Sequence, residues 1–269
     1  MSNNNTALEI VNAALKFPMI KVNRQSFLLE TCPVRSNEER NLLLEKGPIG
    51  SGLFSEKEIR KIAENICSKK TWTSTTASFA AGIPGGFAMI GTIPADTAQF
   101  FGFALRLAQE IAYLYDTRDF WDGETLNDEA IKGEFMLYLG TMLGVGGAAN
   151  AMRYITQGLS QQLAKNLTKT ALTKTFWYPL IKSLGKYVGV KITKDTFART
   201  TSKIVPFLGG VFSGALTYYT MTQMNKRLIN ALEKRIVYTE EEKRKDKEVI
   251  KKEMPEVYEA IFEEIEDTH

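Results

Sequence analysis

Apolar residues recur along this chain three and four positions apart, the spacing of helix faces, and strand-like alternation is scarce. The clearest case is residues 55–69, where Ile59, Ile62, Ala63 and Ile66 share one face and Ser55 with Glu58 forms a capping box. Residues 96–115 give a second, with Phe100, Phe103, Ala104, Leu107, Ile111 and Leu114 along one side. Shorter helices are predicted over 7–17, capped by Thr6 and stopped by Pro18, and over 21–30, capped by Asn23. A polar helix follows over 36–46, where Ser36 to Glu39 resembles a capping box. Gly47, Pro48, Gly50 and Gly52 then make a loop, and 117–123 a polar turn. Long helical runs are predicted over 126–152, 154–176 and 203–237. Residues 239–266 are highly charged, with a thin apolar stripe of Val249, Val257, Ile261 and Ile265 and a break at Pro255.

Three windows carry no charge: 71–95, 135–152 and 204–225. Each is about as long as a bilayer-spanning helix, yet each is rich in Gly, Ala, Ser and Thr rather than Leu and Ile. Small residues serve close helix contacts in a folded bundle and in a membrane alike. Three accounts therefore stand: helices hidden in a folded domain, constitutive spans, or a hairpin released at a bilayer. Pro84 and Pro94 break the first window into a helical hairpin. The reading is an all-α protein, a single multi-helix domain with a central Gly-rich apolar helical hairpin around 75–115 packed on 203–236. Its parts are N-terminal helices and loop over 1–54, a helical core over 55–237 and a charged tail over 238–269.

The net charge of +3 conceals a segregation. Residues 135–232 hold 12 Lys and Arg against one acid, Asp195, whereas 233–269 hold 13 acids against 8 bases. A block of one sign points to an anionic partner, which is a membrane, a nucleic acid or the chain's own acidic parts. Residues 154–176 read as a basic amphipathic helix, and Trp177 and Tyr178 follow before Lys182 and Lys186. Lysines beside amphipathic rings suit a membrane interface. The other account is core aromatics under a solvated face. Nucleic acid is disfavoured, because Arg is sparse here and no recognition motif is present.

The catalytic inventory is thin. Cys32 and Cys67 suggest no disulfide framework, and with His269 they make no zinc site, so no metal or cofactor is expected. Gly144 to Ala149 matches G-x-G-x-x-A but lacks the strand before it and the acid some twenty residues on, so close helix packing explains it better. Asp116, Asp119, Asp122 and Glu124 have the wrong spacing for a calcium loop and read as a solvated turn. Asp96 is the first charge after the apolar run. It is a helix N-cap, a buried partner of Lys203, or an acid in a pocket with Gln99 and Lys203. No catalytic residues are assigned. The N-terminus has no basic stretch before its apolar part, so a secretory leader is not expected.

Residues 78–116 resemble the EcsC family, which shows an apolar Gly-rich segment, then Pro-x-Asp, then a helix with Gln and a closing Tyr-Leu-Tyr end. The matching residues are Pro84, Gly85, Gly86, Pro94, Asp96, Gln99, Gln109, Tyr113 and Tyr115. Lys203 to Gly210, with Pro206, Gly209 and Gly210, resembles the family's second block. The glycine usual after the closing tyrosine is replaced by Asp116. The resemblance implies a bacterial protein from a membrane-transport setting and assigns no reaction. The expectation is a cytoplasmic, non-enzymatic protein peripheral to the inner membrane, with integral insertion as the alternative. Its partner is an anionic membrane surface or a membrane protein, met by Lys165, Lys169, Trp177, Tyr178, Lys182 and Lys186. The second reading is a helical small-ligand carrier or enzyme with an apolar pocket near Asp96.

Overall fold

The computed structural model describes residues 6–15, 20–73, 89–90, 93–121, 129–163, 181–187 and 214–266. Their architecture is all-α. Helices α1 (Thr6–Ala14), α2 (Arg24–Thr31), α3 (Asn37–Lys46) and α4 (Glu56–Thr73) precede α5 (Ala95–Leu114), α6 (Glu129–Leu143) and α7 (Ala148–Leu163). A short α8 (181–187) is followed by α9 (Gly214–Ile236), α10 (Glu240–Glu253) and α11 (Pro255–Glu266).

Local chemistry sets the helix ends. Asn23 and Ser36 accept from the backbone N–H groups of Ser26 and Glu39, so both are N-caps as expected. Glu39, however, reaches the N–H of Arg35 rather than that of Ser36. Ser55 and Glu58 form the expected capping box, and Thr239 and Glu242 form another at the head of α10. Pro255 opens α11, where its missing N–H costs nothing. Thr6 is the first residue of α1 rather than its cap.

Helices α5 and α6 form the centre. Residues 135–139 of α6 are fully buried, so the second uncharged window is a core helix apolar all round. Helix α5 is buried beyond the face expected for it: Phe101, Leu105, Ala108 and Ala112 are also at 0 % exposure. Around this pair pack α1 and α2 on α5, α4 and α9 on each other, and α7 on α6. One buried cluster runs from Val11 to Phe262. Among the described residues no helix is long and apolar enough to cross a membrane.

Two expectations are corrected. The run over 126–152 is two helices. Gly144 (φ 71°) and Gly147 (φ 79°) take the left-handed conformation open to glycine. The N–H of Val145 donates to the Gly140 carbonyl and that of Gly144 to Thr141, closing α6 in a Schellman motif. Part of the expected helical hairpin is extended instead: Met89–Ile90 pairs antiparallel with Ile93–Pro94, immediately ahead of α5. β-branched Ile and a Pro without N–H fit an extended pair better than a helix. The remainder of that hairpin, 74–88, and its packing on 203–213 lie outside the described residues.

Candidate functional site

Helix α5 ends at a junction of charged side chains. Asp116 stands in the left-handed region at φ 59°, one residue past the closing Tyr115. The N–H of Thr117 donates to Ala112 and that of Asp116 to Tyr113, another Schellman closure. The Asp116 carboxylate accepts from the N–H groups of Ile49 (3.0 Å) and Gly50 (2.7 Å), tying the loop after α3 to the end of α5. A Cβ at Gly47, itself at φ 82°, would overlap that carboxylate. Burial pushes the Asp116 carboxyl up, while the two N–H donors, Arg235 and Arg24 pull it back.

Three arginines converge on the same end. Arg24 donates to the carbonyls of Thr117 (3.1 Å) and Leu44 (2.9 Å), bridging the C-termini of α5 and α3. Arg235 donates to the Tyr115 carbonyl at 2.5 Å, and Arg118 to the buried Glu134 at 2.5 Å. Cations at helix C-termini meet both the unpaired carbonyls and the negative end of the helix dipole. Together with Lys46, Glu45, Asp119, Thr156 and Gln157 these groups line a cleft of about 520 Å³. Its cations and carboxylates balance, and its arginines already hold carbonyls or Glu134. The cleft is thus a polar junction that locks three helix ends together.

The turn just before it is stitched from motif residues. Gln109 donates to the Ile20 carbonyl and accepts from the Trp121 indole at 2.7 Å. The Tyr113 hydroxyl bonds the Asp119 carboxylate at 3.1 Å, and its ring stacks on Phe120. Asp116 and Asp119 are therefore structural anchors, which corrects the solvated-turn expectation for those two; Asp122 and Glu124 lie outside the described residues.

A second assembly joins the acidic C-terminus to the basic third of the chain. Asp246 of α10 is 4 % exposed and accepts four donors from around it. They are Arg153 Nε (2.9 Å) and Nη2 (2.5 Å), Asn150 Nδ2 (2.7 Å) and the Tyr238 hydroxyl (2.9 Å). Such a fork-on-carboxylate pair carries orientation as well as energy. Lys186 of α8 pairs with Glu256 of α11. The Tyr154 ring meets Phe262 edge-on at 5.0 Å, and Lys247 lies over Phe262 at 4.2 Å.

Of the expected membrane-contact residues, Lys182 is exposed on α8 and Lys186 is engaged by Glu256. Lys165, Lys169, Trp177 and Tyr178 lie outside the described residues, as does Lys203. Asp96 and Gln99 lie in the first turns of α5, with side chains outside the described ones; Asp96 stands inside the helix rather than ahead of it. The cleft belongs to the opposite end of α5, about 30 Å along a twenty-residue helix. It is therefore not the apolar pocket expected near Asp96.

Cys32 and Cys67 are buried free thiols that burial pushes up to about 12. Buried Glu110 pairs with Lys70 (2.5 Å) and Arg106 (3.2 Å). Among the described residues no group of three His, Cys, Asp or Glu side chains is placed to hold a metal ion. Sequence reasoning missed Arg24, Glu134, Arg235 and Asp246, because their partners are 16 to 120 residues away. Only Asp116 left a trace, as the non-glycine at a position where glycine was expected. No family model, curated protein or solved structure matches the chain.

Proposed function

We propose that this chain acts by contact rather than by catalysis, as a bacterial protein of EcsC type peripheral to the cytoplasmic face of the membrane. Anionic headgroups meet Lys165, Lys169, Lys182 and Lys186, and Trp177 and Tyr178 seat at headgroup level. The observation that carries this reading is the charge segregation, with 12 bases against one acid over 135–232. Each Lys or Arg near an anionic leaflet gains about 1 kcal/mol, so a few acting together give binding that salt reverses. The exposed Lys182, a few residues beyond the aromatic pair, supports the same face. The resemblance to EcsC supplies the membrane setting.

The test is co-sedimentation with vesicles of mixed phosphatidylglycerol and phosphatidylcholine. Lys165→Glu with Lys169→Glu removes the binding of the wild-type chain, by about a hundredfold or more for four units of charge. Unchanged binding by the double variant contradicts the assignment of this face.

A further inference from the structure

We infer that the C-terminal hairpin α10–α11 is a displaceable cover on the basic region, so that it and an anionic membrane compete for the same cations. The inference rests on the membrane reading above and adds its regulation. Four observations support it.

The charges are complementary: α11 carries five acids and no base, and it folds back toward a region of net +11. The hairpin holds cations of that region, Arg153 through Asp246 and Lys186 through Glu256. These two holds differ in kind. Arg153 and Asp246 are 12 % and 5 % exposed, whereas Lys186 and Glu256 are 45 % and 43 % exposed. Screened exposed pairs exchange partners at little cost, and buried ones do not. An anionic surface thus meets the cover first at its open edge, and Asp246 sets the strength of the closed state. Finally, the seat is shaped for close approach. Gly147 has no Cβ where one would come within 2.9 Å of Met254 Cγ, and Gly146 faces Glu253. The strap that would move is joined to the body through Val237, which is 64 % exposed and lies between α9 and α10.

The same geometry supplies a lock. A Cβ built on Gly146 lies 3.9 Å from the Glu253 Cβ, the separation a disulfide needs. Cys32 and Cys67 are buried, so the engineered pair is the accessible one. The experiment uses the full chain with Gly146→Cys and Glu253→Cys, oxidised and reduced, and separately Asp246→Asn, on phosphatidylglycerol-containing vesicles. Oxidation is expected to weaken binding about tenfold or more, reduction to restore it, and Asp246→Asn to strengthen it relative to wild type. Equal binding by the oxidised and reduced forms overturns the cover and leaves the membrane reading standing. Absence of binding in every form, wild type included, overturns both.

Discussion

Asp116 shows what a single residue does here. Its backbone takes a conformation that costs most residues strain and that Asp tolerates better than most. Glycine would relieve that strain but has no carboxylate for the N–H groups of Ile49 and Gly50. The side chain thus joins two helix ends that the chain separates by 66 residues or more. Replacing Asp116 with Ala keeps the strain and orphans both donors. The expected loss is roughly 2–4 kcal/mol of unfolding free energy, read from urea denaturation. A loss under about 0.5 kcal/mol, the scale of an ordinary surface change, contradicts the role. The position was conspicuous in the sequence, as an acid where the family resemblance expects glycine. Its task was not legible, because the loop it holds is remote in sequence and carries no side-chain signature. Asp246 is a parallel case, one acid among thirteen in its segment, distinguished only by the donors that surround it.

Elements were more legible where their ends rely on local chemistry. Asn23, Ser36 and Ser55 cap the helices they precede in sequence, and Pro255 divides the last two. Boundaries set by backbone conformation were harder: glycines at 144 and 147 read as packing residues although each also takes a positive φ. The burial of α5 on nearly every side was likewise hidden, since Gln109, Glu110 and Arg106 interrupt its apolar pattern and find partners only in the fold. The capping box of α10 has a pH signature. The Thr239 backbone N–H, foremost, holds the Glu242 carboxyl below its ordinary value of 4.5, and the Thr239 hydroxyl adds to it. A folded-state value below the unfolded one contributes stability above the unfolded value and loses it as pH falls through the folded one. Glu242→Gln is therefore expected to melt below wild type at neutral pH, with the gap closing as pH drops below about 4.5. A gap of constant size from neutral to acid pH contradicts the charged form of the box.

Across the whole molecule, composition revealed the all-α class and the segregation of charge, both properties of the chain read without contacts. What it left open was the fate of the uncharged windows and of the acidic tail. The middle window is answered by burial: 135–143 lies inside the core, and a turn at Gly144 ends it. The tail is answered by pairing, since Asp246 and Glu256 hold cations from the basic third. On this view the basic face is a shared resource, satisfied internally by α10–α11 and externally by lipid. The most direct test makes the untagged chain in bacteria, isolates the membranes and washes them with high salt and then with carbonate. The predicted result is a membrane-bound fraction that high salt releases, because screening weakens contacts between exposed charges. Protein that resists both washes, or that is found only in the soluble fraction, contradicts an electrostatic peripheral protein.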